Sequence, residues 1–323
     1  MVIVTGANGF IGSAFVWELN EAQVHVLAAT DLVPRTKRPL TLAKRKFSHF
    51  LSHEELWPFL EKPETKSQLR WIVHMGANSS TTETNKNLLW DLNTLYTEKL
   101  FTWCARNQVN LIYASSAATY GAGELGYSDT TDPEQLRPLN LYGESKVEFD
   151  RWALKQTETP PHWYGLKFFN VYGPNEYHKD FMTSVAFKAF HQIKDSGNLK
   201  LFKSYKPEFG DGDQKRDFVY VKDVTRWMFE LIQKRPRSGI YNMGHGKARS
   251  WNDLAHSTFQ AMKKPVQIEY IEMPDSVKNQ YQYFTEADMS SWLKAGMSPS
   301  RWPLEDGIRD YVENYLQNED PYL

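Results

Sequence analysis

The sequence predicts an α/β chain, with a parallel, doubly wound sheet and a smaller α+β lobe, and three observations carry that expectation. An apolar run, Val2-Ile-Val4, enters a glycine-spaced turn, Thr5-Gly-Ala-Asn-Gly-Phe-Ile-Gly12, which opens an amphipathic stretch from Ile11 to Leu19. Short apolar runs then alternate with helical patterns along the first half of the chain. From residue 173 to 216 the texture changes to Pro, Gly, Lys and Asp, and an apolar strand and helix pattern returns at 217.

The elements follow in order. A strand that turns into a helix through glycines presents free helix N–H groups to phosphates; Gly6 permits the tight turn, Gly9 lets the backbone approach a pyrophosphate, and Gly12 lets helix and strand pack closely. Glycine spacing alone also suits a purely structural turn. The strand before it, and Asp31 after a second apolar run from Val24 to Ala29, favour a dinucleotide site, because an acid at this place reads an adenine ribose. Trp71-Ile-Val-His-Met75 and Val109-Asn-Leu-Ile-Tyr-Ala114 read as buried strands, separated by a helical stretch from about Asn87 to Arg106. The pattern predicts a helix over Leu141 to Lys155, a strand over Trp163 to Phe169, a strand over Asp217 to Val221 and a helix over Val224 to Ile232. Strands divided by helices of that length imply a Rossmann-like sheet. The dinucleotide-binding domain is expected over 1–172 plus about 217–240, and a discontinuous substrate-binding domain over 173–216 plus about 241–323.

Composition bounds the partners. Thirty-eight basic residues against thirty-nine acidic leave almost no net charge in 323 residues, so nothing draws the chain to nucleic acid or an anionic membrane. The sequence shows no signal-peptide pattern and no apolar stretch long enough to span a bilayer, which makes the cytoplasm the expected location. The single cysteine, Cys104, stands in an apolar context and is expected to pack in the core. The basic run Lys44-Arg-Lys46 is expected to be a solvated face. The acids of Gly210-Asp-Gly-Asp-Gln214 invite a calcium reading, but Lys215 and Arg216 occupy positions that such a loop needs for a ligand and a glycine, so no metal is expected.

The chemistry concentrates at Tyr142-Gly-Glu-Ser-Lys146. On a helix these two side chains lie at i and i+4 and project from one face. A free phenol has a pKa of about 10, too high for a base near neutrality, and a neighbouring cation lowers it. Alone, the pair reads more readily as a surface Tyr and Lys that happen to share a helix face. The order of motifs changes that: a glycine turn, then Ser115-Ser116 before Tyr120-Gly121, then Tyr-x-x-x-Lys resembles the extended short-chain dehydrogenase/reductase family, whose members mostly act on nucleotide-linked sugars. The resemblance implies that Ser116 bonds the reacting hydroxyl or carbonyl, Tyr142 exchanges its proton, and Lys146 holds the nicotinamide ribose while tuning Tyr142. Where sugar-nucleotide dehydratases of that family carry an Asp-Glu pair, this chain has Ala117 and Ala118.

Within the family, His74-Met-Gly-Ala-Asn-Ser-Ser-Thr-Thr-Glu83, Phe169-Asn-Val-Tyr-Gly-Pro174, His178-Lys179, Lys215-Arg-Asp-Phe-Val-Tyr-Val221 and Tyr281-Gln-Tyr-Phe-Thr-Glu-Ala-Asp288 are similar to the epimerases of an ADP-linked glycero-manno-heptose. That likeness implies inversion at C6 of the heptose through a 6-keto intermediate, with Lys179 as the second proton carrier. Read from the residues alone, Lys179 is an ordinary loop lysine. For the cofactor the likeness implies Phe10, Ile11, Asp31 and Leu32 beside the glycines; Lys37; Met75, Gly76, Ala77, Asn78 and Ser79; and Asn93, Lys146, Val171 and Lys179. For the substrate it implies Ser116, Asn170, Phe181, Lys188, Phe202, Lys203, Ser204, Tyr205, Arg216 and Tyr281, although Phe181 and Lys188 stand where familiar members have Ser and His. Asp31 favours NAD, whereas Arg35, Lys37 and Arg38 suit the 2′-phosphate of NADP; NADP is expected, with NAD possible. Leu32 and His53 stand where members often have Asn and a basic residue. A homo-oligomer, a pentamer by the resemblance, is implied. An epimerase acting at C4 of a UDP-linked sugar and a non-catalytic dinucleotide sensor remain as alternatives, and retention of Ser116, Tyr142 and Lys146 argues against the sensor.

Overall fold

The computed structural model describes residues 1–179, 182–274, 278 and 281–323. At its centre is a seven-stranded sheet of β1 (Val2–Thr5), β2 (Val26–Asp31), β3 (His49–Ser52), β4 (Trp71–His74), β5 (Asn110–Ser116), β6 (Trp163–Phe168) and β7 (Gly239–Met243). The order is β7-β6-β5-β4-β1-β2-β3 and every neighbouring pair is parallel. The direction of winding reverses between β1 and β4, so the carboxyl ends of these strands diverge there into a crevice. Buried on both faces, the inner strands read as continuous apolar runs. Lys167 breaks the run in β6 yet is only 2% exposed.

On one face α1 (Phe10–Glu21) joins a core of Val4, Phe15, Trp227 and Met228. On the other, α2 (Tyr96–Arg106) and α3 (Leu141–Leu154) bury Phe101, Phe149, Ala153 and Cys104. The helical stretch expected from Asn87 is present, but it contains a π-helical turn, Trp90–Leu95, between Lys86–Leu89 and α2. α4 (Val221–Lys234) packs beside α1 and follows a short parallel ladder in which Phe218–Tyr220 pairs with Asn170–Tyr172.

A second core gathers Phe190, Leu254, Phe259, Ile308 and Tyr311 from helices Val185–Ser196, Trp251–Ala261 and Leu304–Tyr311. Small ladders accompany it, Leu199–Phe202 with Ile268–Ile271 and Lys215–Arg216 with Arg249–Ser250. Two segments cross the expected division of the chain. β7 carries the main sheet to Met243, and Trp292 packs back against Trp227 and Tyr241, at 5.7 and 5.9 Å between ring centroids, inside the core of that sheet.

In the basic run at 44 to 46, Lys44 and Lys46 are exposed, in keeping with the expected solvated face, and Arg45 is half-buried. Lys44 pairs with Asp320 at 2.9 Å and donates to the Tyr322 carbonyl at 2.6 Å, while Arg45 donates to the Leu323 carbonyl at 2.8 Å. These partners arrive from the far end of the sequence, so local charge spacing carries no sign of them. Among the described residues no helix is long and apolar enough to cross a membrane.

Candidate active site

A cavity of about 780 Å³ opens at the crevice between β1 and β4. Its floor is the glycine turn. Gly6 has φ +62°, and a Cβ there would stand 2.5 Å from the backbone nitrogen of Gly76; a Cβ on Gly12 would stand 2.1 Å from the Gly6 carbonyl oxygen. These clearances bring β1, the β4 loop and α1 together. α1 begins at Gly9 with neither a side-chain cap nor an acid in its first turn, so its first N–H groups and the positive end of its dipole are left for an anion.

Asp31 closes one side. Its two carboxylate oxygens accept from the backbone N–H of Asn8 at 2.9 Å and of Val33 at 2.8 Å, while burial raises its pKa. Arg38 lines the cavity beside it and donates to the Asn8 carbonyl at 3.2 Å. Lys37, expected to hold cofactor, is exposed and absent from the lining, and Arg35 lies over the Phe47 ring at 5.3 Å. The reason is local: Arg35–Lys37 form a single 3-10 turn, and Arg38 is the residue that leaves it. Leu32 and His53 line the cavity, the latter stacked on Tyr96 at 4.3 Å.

Met75, Gly76, Ala77, Asn78 and Ser79 form the facing loop. Asn93 does not line the cavity; from the π-helical turn its side chain accepts from the Asn78 N–H and donates to the Asn78 carbonyl, both at 2.9 Å, and reaches Ser145 Oγ at 3.0 Å. It thus ties the loop to α3, between Tyr142 and Lys146. π-Turns recur at functional sites for this reason: they turn a side chain off the regular helical face.

Asn140 caps α3 by accepting from Gly143 N–H at 2.8 Å, which places Tyr142 in the first turn and Lys146 one turn deeper. Both line the cavity with Ser116, as the i and i+4 spacing requires. Burial raises the pKa of the Tyr142 phenol, and a hydrogen bond with Ser116 opposes the shift. Burial lowers Lys146 to about 8, with Asp150 opposing, and its ammonium donates to the Ala114 carbonyl at 2.8 Å. The Lys146 ammonium is turned to the end of β5, and the shift of the Tyr142 phenol is upward.

Val171, Asn170 and Lys179 line the opposite wall. Lys179 Nζ sits over the Phe10 ring at 5.4 Å, and its pKa is lowered by burial and then by Lys188, against the pull of Glu176. Glu176, 1% exposed, accepts from Gly173 N–H at 3.2 Å, Ser184 Oγ at 2.7 Å and Tyr311 OH at 3.0 Å, and so shapes the segment carrying Lys179. His178 also faces the cavity, held neutral by burial and neighbouring cations with a pKa of about 4.

The expected substrate residues are brought together unevenly. Phe181 lies outside the described residues, and Lys188 is off the lining although close enough to Lys179 to perturb it. Phe202, Lys203, Ser204, Tyr205, Arg216 and Tyr281 are also off the lining, held back by their own contacts. Lys203 pairs with Glu272 at 2.7 Å, Tyr205 bonds the same carboxylate, and Ser204 N–H donates to Asp211 at 2.7 Å. Arg216 is sandwiched between Trp251 at 5.6 Å and Tyr281 at 5.1 Å, and Phe202 packs on Tyr281 at 6.4 Å. Trp251, which the sequence reading missed, is the wall between this cluster and the cavity. The signal for it is the capping box Ser250-x-x-Asp253, which starts a helix on that tryptophan.

A glycine cradle at a helix N-terminus, joined to a Ser, Tyr and Lys at the end of β5 and the start of α3, defines an enzyme of the nicotinamide dinucleotide class. Residues 2–244 match the NAD dependent epimerase/dehydratase family. The chain belongs to that family, and it is an epimerase. It is 47% identical over 332 residues, covering both chains fully, to an ADP-L-glycero-D-manno-heptose-6-epimerase of Fusobacterium nucleatum. Among solved structures, the Helicobacter pylori ADP-L-glycero-D-manno-heptose-6-epimerase aligns with TM-score 0.76 at 25% identity, covering 97% of this chain and 95% of that one. MoeE5 in complex with UDP-glucuronic acid and NAD aligns with TM-score 0.76 at 26% identity, covering 97% of each chain.

Proposed function

We propose that this chain inverts C6 of the heptose in an ADP-linked glycero-manno-heptose with NADP as resident cofactor. The observation that carries the reading is that Tyr142 and Lys179, from separate elements, line one cavity beside the glycine cradle. The names of the relatives in Fusobacterium nucleatum and Helicobacter pylori support the sugar, and Arg38 beside Asp31 supports NADP. In this reading the sheet unit, 1–172 plus about 217–240, holds the cofactor, and 173–216 plus about 241–323 hold the sugar nucleotide.

The residues fit the cofactor: uncapped N–H groups at α1 for the pyrophosphate, Asp31 and Arg38 for the adenosine end, and Lys146 for the nicotinamide ribose. Bound there, the nicotinamide would supply the hydride acceptor and donor for C6. Ser116 orients the oxygen on C6. Tyr142, kept protonated by burial, gives and takes the proton on one face, and Lys179, whose ammonium burial weakens, does so on the other. Arg216 between its two aromatic rings serves the diphosphate through charged hydrogen bonds.

Tyr142→Phe and Lys179→Met test this. Each should lower epimerisation by about 10²-fold or more, since each removes one proton carrier. Offered an aldehyde analogue that one orientation reduces and the other oxidises, each single variant should retain some activity and the double variant almost none. An unchanged epimerisation rate in Lys179→Met would remove it from the reaction and favour an epimerase acting at C4, in which one tyrosine serves both faces.

A further inference from the structure

Beneath the site lies a buried ion pair that the proposed reaction does not use. Asp150 on α3 is one turn past Lys146 and fully buried, and Lys167 on β6 faces it with Nζ 3.1 Å from its Oδ2. The same carboxylate accepts from Ser115 Oγ at 2.8 Å and Tyr113 OH at 3.0 Å. Lys167 also donates to Thr119 Oγ1 at 2.6 Å, and that hydroxyl donates to the Ser116 carbonyl at 2.7 Å. Two routes thus converge on the end of β5, one from Asp150 through Ser115 and one from Lys167 through Thr119 to Ser116.

Such a pair is poor value for stability alone, because desolvating two ions costs several kcal/mol that an apolar pair avoids. Its position supplies another reason. Ser116 is the last residue of its strand, and the Thr119 bond to its carbonyl fixes the backbone that aims its hydroxyl. The groups around Lys146 are His74 on β4, neutral because burial holds its pKa near 3, and Tyr142 and Asp150 on its own helix. Asp150 is therefore the one acid among them that favours the Lys146 ammonium.

We propose that Asp150 and Lys167 are positioning residues for the reaction, the pair fixing Ser116 at the end of β5 and Asp150 keeping Lys146 charged; this rests on the reading of Ser116, Tyr142 and Lys146 above. The device explains a lysine in a buried strand and an aspartate on the apolar side of a helix with one cause.

The test uses the cofactor-loaded protein. Asp150→Asn alone would leave Lys167 buried and unpaired, so it is combined with Lys167→Met, and Thr119→Val separately cuts the tie to Ser116 while leaving both charges. The double variant should keep its bound nicotinamide, lose about tenfold or more in kcat with KM within about twofold, and show the alkaline limb of its pH profile moved toward lower pH by about one unit. Thr119→Val should lower kcat and leave that limb in place. A folded double variant with unchanged kcat and limb overturns the inference, and if the double variant fails to fold, an unchanged kcat in Thr119→Val overturns it. Tyr142→Phe is run beside them: retained activity there would sink the underlying reading, whereas its loss together with an indifferent Asp150–Lys167 pair sinks the inference alone.

Discussion

Replacing Arg38 with Ala should separate the two nicotinamide cofactors. Its guanidinium lines the cavity next to Asp31 and spends one N–H on the Asn8 carbonyl at 3.2 Å, which leaves the remainder of the fork for a phosphate. Hydrogen bonds to a charged group contribute about 1.5–3 kcal/mol each. Arg38 is only partly buried, so solvent screening reduces a two-bond contact to about 1.5–3 kcal/mol in total, a loss of roughly 10–150-fold in NADP affinity. NAD, lacking the 2′-phosphate, should bind within about threefold of wild type, and Lys37→Ala should leave both cofactors within that margin. Protein stripped of cofactor and titrated with NADPH and NADH, followed by nicotinamide fluorescence, gives the four affinities. Equal weakening of both cofactors in Arg38→Ala would mean that the arginine does not read the phosphate. A selective loss in Lys37→Ala instead would mean that the turn at 35 to 37 presents a different side chain when cofactor is bound.

Other outcomes follow from the same geometry. Gly12→Ala would put a methyl 2.1 Å from the Gly6 carbonyl oxygen, so the turn must open; the purified protein should carry little nicotinamide, measured by absorbance of the denatured supernatant, and full retention would refute the cradle. His74, buried with hydrogen bonds to Thr5 at 2.5 Å and Thr97 at 3.1 Å, has its pKa lowered to about 3. Its folded pKa lies below its unfolded value of about 6.5, so the stability it contributes is complete above pH 6.5 and lost as pH falls toward 3, at about 1.4 kcal/mol per unit. Urea midpoints at pH 7 and pH 4.5 should differ more in wild type than in His74→Asn, and equal differences would refute it. Arg216→Lys should raise KM for the sugar nucleotide by about tenfold through loss of the planar fork, with cofactor affinity unchanged by titration. A change in cofactor affinity alone would place Arg216 elsewhere in the mechanism.

The parts readable in the sequence are those whose chemistry is local. A tyrosine and a lysine four residues apart share a helix face in any context, and a glycine turn between strand and helix admits a pyrophosphate by its own geometry. What escaped depended on distant partners. The partners of Lys44 and Arg45 come from residues 320 to 323 at the far end of the sequence, and Arg38 rather than Lys37 lines the cavity because a single 3-10 turn decides which side chain faces inward. The π-turn that lets Asn93 reach Asn78 leaves no mark on a 3.6-residue periodicity. Lys167 did leave a mark: a lysine inside Trp163–Phe168, a strand buried throughout, demands a buried acid, and Asp150 among Val147, Phe149 and Ala153 demands a buried base.

Inversion at one carbon needs opposed proton carriers that differ in protonation state, since two acids or two bases could not complete both halves. In the proposed reaction the fold supplies the difference chiefly from burial, with Lys188 adding to it at Lys179. The same desolvation that raises the phenol of Tyr142 and keeps its proton lowers the ammonium of Lys179 and loosens its own. Tyr142 stands in the first turn of a helix started by the Asn140 cap, and Lys179 follows a segment folded around Glu176, whose carboxylate accepts from Gly173, Ser184 and Tyr311. The wall carrying Tyr142 belongs to the sheet unit, and the wall carrying Lys179 is shaped from the second core through Tyr311. In the proposed reaction each lobe thus brings one of the two carriers to the cavity, and a change in either lobe that shifts its wall should impair one half of the inversion before it impairs the other.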